Sequence, residues 1–257
     1  NTIAAHLGHD VGIKNIIQTA HAMGIQSPLE EVESISLGSS DVTLLEMVNS
    51  YCTAVNDGKH IAPVMVSKIL DRNGKVIYEA KREATQAIPY RSAWYMQQLL
   101  QAGVYGGTSG TLWRFIHDYD TNYGGKTGTS SNHSDAWFIG CARNLVGGAW
   151  VGGEYRSIHF RTGELGQGNR TALPIFGAFM ERLMKDPELK ARYQGKFPEK
   201  PLEDIGDSNA YVYQYDPNAV RSDSDSIAIS LENETEIIPE LEEPKQATEE
   251  NDTTTAQ

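Results

Sequence analysis

Gly124-Gly125-Lys126-Thr127-Gly128-Thr129-Ser130 is the stretch on which the rest of the chain is read. A lysine on a strand that borders a cleft offers a compact cation for a carboxylate. Hydroxyls at Thr127 and Thr129 can donate to the same anion, and Ser130 extends the row. Gly128 has no Cβ, so a substrate backbone can approach the strand closely. A main-chain N–H just past that glycine is then placed to meet a developing oxyanion. A phosphate-binding loop is excluded, because the pattern G-x-x-x-x-G-K-[ST] would require glycine where Asp120 stands.

The 257 residues carry a net charge of -12, unevenly distributed. Fifteen of the 34 acidic and two of the 22 basic residues lie from Glu203 onward, which leaves 19 acidic and 20 basic before it. The body is therefore close to neutral, and no basic patch suggests nucleic acid. Two cysteines, Cys52 and Cys141, lie in separate apolar segments and indicate neither a disulfide framework nor a zinc site. No apolar run approaches the roughly 18 residues of a membrane span. The seven histidines and Glu164 have no metal-like spacing, so no metal or cofactor is expected. A first residue of Asn rather than Met reads as the C-terminal piece of something longer.

Asn1 to Leu7 reads as a helix continuing from upstream. Ile13, Ile16, Ile17 and Ala20 mark an amphipathic helix that ends near Gly24. Thr43-Leu44-Leu45-Glu46 is a capping box for a helix stopped by Asn56-Asp57-Gly58. Asn73-Gly74 predicts a hairpin between strands over Val64–Leu70 and Lys75–Tyr78. Pro89 opens a helix with Ala93, Met96 and Leu100 on its apolar face and Gly103 at its end. Ala136–Gly140 and Leu145–Gly152 read as antiparallel strands, with Trp137 and Trp150 in the core and Trp113 as a possible cleft border. Gly163–Gly168 is a loop. Ala172–Met184 is a closing helix with Phe176, Phe179 and Leu183 on one side. The fold class is α+β, an antiparallel sheet flanked by helices. Residues 1–200 form this body. Residues 201–257, rich in acidic residues, Ser, Thr, Asn and Pro, are expected to be a disordered tail.

Together these segments resemble the C-terminal part of the transpeptidase domain of penicillin-binding proteins, of the bifunctional class A type. Gly125-Lys126-Thr127-Gly128-Thr129 matches that family's third motif. Asn1-Thr2-Ile3-Ala4-Ala5 resembles the helix start after its Ser-x-Asn, with Asn1 as the asparagine. Ser36-Leu37-Gly38 through Glu46, with Tyr51 and Asn56-Asp57-Gly58, resembles the helix before its hairpin insertion. Asp135-Ala136-Trp137-Phe138-Ile139-Gly140 and Ala149-Trp150-Val151-Gly152 resemble the two strands that follow the motif. The resemblance covers Asn1 to about Met184.

The resemblance implies a serine acyl-enzyme that cross-links D-Ala-D-Ala stem peptides of peptidoglycan and is a target of β-lactams. Lys126, Thr127 and Thr129 would hold the terminal carboxylate, with Gly128 and Ser130 along the substrate. The Thr129 N–H would serve the oxyanion, and Asn1 would bond the substrate amide and the motif's lysine. It also implies residence on the outer, periplasmic face of the cytoplasmic membrane, an anchor and a glycosyltransferase domain in an upstream part, and contact with other cell-wall synthesis proteins. The sequence departs from the family in one respect: no Ser-x-x-Lys occurs in its 257 residues. Ser130-Ser131-Asn132 spells Ser-x-Asn but follows Lys126 too closely to form a separate wall. The nucleophile and its base are therefore expected in the upstream part, and the isolated chain is expected to be inactive. Two rival readings are a β-lactamase-like or penicillin-sensing domain and a non-catalytic binding fragment.

Overall fold

Residues 1–118 and 120–198 are described in a computed structural model. The chain begins with α1 (Thr2–Val11) and α2 (Ile13–Ala22), broken apart at Gly12, whose φ of 87° suits glycine. A 3-10 turn over Glu33–Leu37 packs on α1 and leads to α3 (Leu44–Val55). The expected capping box is present. The Thr43 hydroxyl accepts from the Glu46 N–H at 3.3 Å, and the Glu46 carboxylate accepts from the Thr43 N–H at 3.0 Å. The same carboxylate accepts from the Gln26 and Ser27 N–H groups and from the Ser27 hydroxyl. Glu46 thus ties the link after α2 to the start of α3.

After Gly58, at φ 81°, comes a small excursion of four strands. β1 (Lys59–Ile61) pairs with β4 (Ala84–Gln86), two strands the sequence reading did not anticipate. Between them β2 (Lys68–Leu70) and β3 (Val76–Glu79) form the expected hairpin. Its turn is fastened by the Asp71 carboxylate, which accepts from the N–H groups of Asn73 and Lys75, each at 2.8 Å. The first strand is shorter than expected, since Val64–Ser67 lie outside it.

α4 (Tyr90–Tyr105) starts after Pro89, as expected, but does not end at Gly103. Gly103 lies inside the helix because it is a contact point with the main sheet. The buried face also differs from the expected one: Ala93 and Leu100 are buried, Met96 is exposed, and Gln97 is fully buried in its place. The Gln97 side-chain nitrogen donates there to the Ala54 carbonyl at 2.9 Å, which joins α4 to the end of α3.

The main sheet has the order β5-β6-β7, all antiparallel, from β5 (Gly124–Thr129), β6 (Asp135–Ala142) and β7 (Leu145–Gly152). α3 and α4 cover one face, where Leu100 and Cys141 share a small core with Val55. The other face carries the larger core and α6 (Ala172–Lys185). There Phe138 of β6 meets Phe176 with ring centroids 5.4 Å apart, and Gly140 leaves the room that the Phe176 ring occupies. Each such ring contributes about 1.5–3 kcal/mol by burial. Phe179, expected beside Phe176, is half exposed on the outer side of α6. Gly163–Gly168, expected to be a loop, contains one helical turn, α5 (Gly163–Gly166). A further helix, α7 (Pro187–Tyr193), is capped by Asp186. The outcome is the expected α+β class, helices first and a closing helix last. The boundary at residue 200 and the acidic tail fall outside the described residues. Among those residues no helix is long and apolar enough to cross a membrane.

Candidate functional site

Glycines allow β5 to lie where it does. Gly124 faces Leu100 and Cys141, and Gly125 faces the Phe138 ring, each closer than a Cβ would permit. The register places Lys126 opposite Ile139, Thr127 opposite Phe138 and Thr129 opposite Ala136. Just past the strand, the Ser130 N–H donates to the Asp135 carbonyl at 3.0 Å. Hydrogen-bonded and non-hydrogen-bonded pairs alternate in an antiparallel ladder. Thr127 and Thr129 therefore stand at non-hydrogen-bonded positions, and their main-chain N–H and C=O groups turn to the outer edge of β5. No strand pairs with that edge among the described residues.

The Lys126 ammonium reaches the same edge, donating to the Thr127 carbonyl at 2.6 Å. Thr127 and Thr129 project from one face of the strand, two residues apart. Each hydroxyl has a partner behind it. Thr127 Oγ1 is 2.9 Å from Thr108 Oγ1. Thr129 Oγ1 accepts from the Gly168 N–H at 3.1 Å. Gly168 presses onto the carbonyls of Trp137 and Gly128, so the loop around α5 closes over the end of β5. The edge thus offers a cation, two hydroxyls and the Thr129 N–H, a set suited to an anionic group beside a carbonyl.

Ser130 continues the edge, but its hydroxyl is engaged in the β5–β6 turn. It accepts from the Asp135 N–H at 2.8 Å and lies 3.0 Å from the Ser134 hydroxyl. The Ser134 hydroxyl donates toward the Asp135 carboxylate, whose other oxygen accepts from the Trp150 indole at 3.0 Å. Asn132, also in that network, serves the turn, in keeping with the exclusion of Ser130-Ser131-Asn132 as a separate wall. Trp137 and Trp150 correct the sequence reading. They are cross-strand neighbours with centroids 6.5 Å apart, but Trp150 is 40% exposed and Trp137 is half-buried beside Gly128. They form an apolar margin to the motif strand rather than core. Trp113 packs between Tyr105 and Tyr123 against the main core.

Asn1 is exposed at the N-cap of α1 and makes no side-chain cap bond. No hydrogen bond joins it to β5 among the described residues, so the structure brings together Lys126, Thr127, Gly128, Thr129 and Ser130 but not Asn1. Sequence reasoning missed Thr108 and Gly168. A Gly-rich segment was visible around each, but nothing local shows that the two loops meet β5. Cys141 is buried beneath Gly124, and burial pushes its thiol up to about 12. Cys52 is half-buried, and burial raises its thiol too. Neither suits a nucleophile. Among the described residues no cluster of three His, Cys, Asp or Glu side chains is placed to hold a metal.

The penicillin binding protein transpeptidase domain family matches residues 4–154. Penicillin-binding protein 1A of Aquifex aeolicus is 32% identical over 181 residues, covering 70% of this chain and 24% of that protein. Penicillin-binding protein 2D of Bacillus subtilis is 31% identical over 183 residues, covering 69% and 26%. The chain thus spans about a quarter of the length of the curated relatives it matches. In fold it resembles the crystal structure of penicillin-binding protein 1A from Haemophilus influenzae, at TM-score 0.65 and 24% identity over 78% of this chain and 34% of that one. It also resembles the PonA1 protein of Mycobacterium tuberculosis solved with penicillin V, at TM-score 0.60 and 22% identity over 74% and 53%. A match across more than half the chain makes this chain a member of the penicillin-binding protein transpeptidase domain family.

Proposed function

We propose that this chain forms the carboxylate-holding wall of a peptidoglycan D,D-transpeptidase. In that enzyme a serine from a Ser-x-x-Lys element upstream attacks the penultimate carbonyl of a D-Ala-D-Ala stem peptide. D-Ala leaves, and an amino group of a neighbouring stem takes the acyl group. A serine hydroxyl is a weak nucleophile and needs an adjacent base, which this chain does not supply. Its part is to bind and orient. The Lys126 ammonium and the Thr127 and Thr129 hydroxyls hold the terminal carboxylate. Gly128 lets the peptide lie along the open edge, and the Thr129 N–H is one oxyanion donor. Ser130 fixes the end of the groove through its turn, and Asn1 is assigned the substrate amide as its partner. A β-lactam, which also presents a carbonyl beside a carboxylate, occupies the same groove.

The observation that carries this reading is the convergence of Lys126 Nζ and the outward main-chain groups of Thr127 and Thr129 on one unpaired strand edge. The reading sets that enzyme in the cell envelope, with an upstream glycosyltransferase domain and membrane anchor, placement on the periplasmic face, and association with other cell-wall synthesis proteins as further parts of the proposal. Body and tail divide near residue 200. The test is to incubate the full-length protein with fluorescent penicillin and analyse it by denaturing gel and mass spectrometry. The expected result is one stoichiometric adduct on an upstream serine. Absence of label, or an adduct on a serine within these 257 residues, overturns the reading.

A further inference from the structure

We propose that Thr108 is a positioning residue of the anion site, acting through Thr127. This rests on the reading of β5 as the carboxylate-holding strand. Thr108 is exposed in the loop Gly106-Gly107-Thr108-Ser109-Gly110, which follows α4 and lies remote from β5 in sequence. The loop is pinned by main-chain bonds: Ser109 N–H to the Gly103 carbonyl at 3.0 Å, Gly110 N–H to the Gly107 carbonyl at 3.2 Å and Leu112 N–H to the Ser109 carbonyl at 3.0 Å. Gly103 lies against the Gly125 carbonyl, and Gly107 folds back on Gly103. These contacts set the loop beside the strand and place the Thr108 hydroxyl 2.9 Å from that of Thr127.

Proton counting gives the bond its direction. Each hydroxyl has one proton and can also accept. A carboxylate only accepts. When one binds at Thr127, the Thr127 proton is committed to it, so Thr108 must donate to Thr127. Thr129 is arranged in the same way, with the Gly168 N–H filling its acceptor side at 3.1 Å. Both threonines therefore have a donor behind them that turns their own protons outward. Such donor chains strengthen one another. At Thr129 the donor belongs to the main chain and is permanent. At Thr127 it is a side chain, so substitution can remove it while the loop, held by its backbone, stays in place.

The experiment compares acylation of the full-length protein by penicillin and by its methyl ester, whose neutral carboxyl group is a weaker acceptor. Thr108→Val keeps the shape and removes the donor; Thr108→Ser restores it. Thr108→Val should slow acylation by the free acid about threefold to tenfold, as expected for one hydrogen bond. The ester rate should change less, and Thr108→Ser should recover the wild-type ratio of acid to ester. Unchanged acid acylation in Thr108→Val, or equal slowing for acid and ester, overturns the assignment. If Thr108→Val fails to fold, Thr108→Ala at the same exposed position carries the same comparison. A wild-type protein that penicillin does not acylate at all overturns the underlying reading of β5 and this inference with it.

Discussion

Gly103 and Gly125 meet backbone to backbone: a Cβ on Gly103 would stand 2.6 Å from the Gly125 carbonyl oxygen. α4 therefore lies directly on the motif strand, at the end from which the Thr108 loop departs. Replacing glycine by alanine inside a helix ordinarily stabilises by about 0.5–1 kcal/mol. Here the added methyl meets main chain that cannot turn aside, and overpacking of that kind costs about 1–3 kcal/mol. Gly103→Ala is therefore expected to lower the Tm. Thermal denaturation checks this, and a rise in Tm would mean that the helix is free to shift off the strand.

Glu46 carries a pH dependence. The Ser27 hydroxyl, with the Thr43 and Gln26 groups, holds its carboxyl down from 4.5 to about 2 against the opposing effect of burial. A carboxyl whose value is depressed on folding stabilises fully above 4.5, and that contribution is lost as pH falls toward 2. Glu46→Gln should destabilise by about 0.5–2 kcal/mol near neutrality, the scale of a helix cap. The gap from wild type should narrow through that acid window in urea titrations at a series of pH values. A gap that stays constant on acidification would show that charge on Glu46 contributes nothing.

Gly168 is expected to tolerate no side chain. A Cβ there would press on the Trp137 carbonyl and stand 2.6 Å from that of Gly128. Gly168→Ala should lift the α5 loop, withdraw the donor from Thr129 and slow penicillin acylation of the full-length protein about threefold or more, the scale of one lost hydrogen bond. Stopped-flow acylation measures it, and an unaltered rate in a folded variant would show that the Gly168–Thr129 bond is incidental.

Much of this was legible locally. The Thr43–Glu46 box, the Asn73-Gly74 hairpin and the strands on either side of Ala142-Arg143-Asn144 are each set by residues within a few positions of one another, so the sequence pattern suffices to find them. That Lys126, Thr127 and Thr129 share one strand was legible because a short motif holds all three. What escaped was set by distant contacts. Gly103 looked like a helix stop until its contact with Gly125 explained it. Met96 was expected on the apolar face of α4, yet the adjacent Gln97 is the residue buried there, on the Ala54 carbonyl. Trp137 and Trp150 have the apolar character of core residues, but Trp150 is exposed and Trp137 only half-buried. Thr108 and Gly168 join the site through pairings 19 and 39 residues long, which no local pattern reveals.

The central claim is that the edge of β5 holds a carboxylate through Lys126. The most direct measurement is the second-order rate of penicillin acylation in the full-length protein and its Lys126→Ala variant, with folding checked by thermal denaturation. A charge-assisted hydrogen bond is worth about 1.5–3 kcal/mol, so the rate should fall about tenfold or more. An unchanged rate in a folded Lys126→Ala variant would contradict the account.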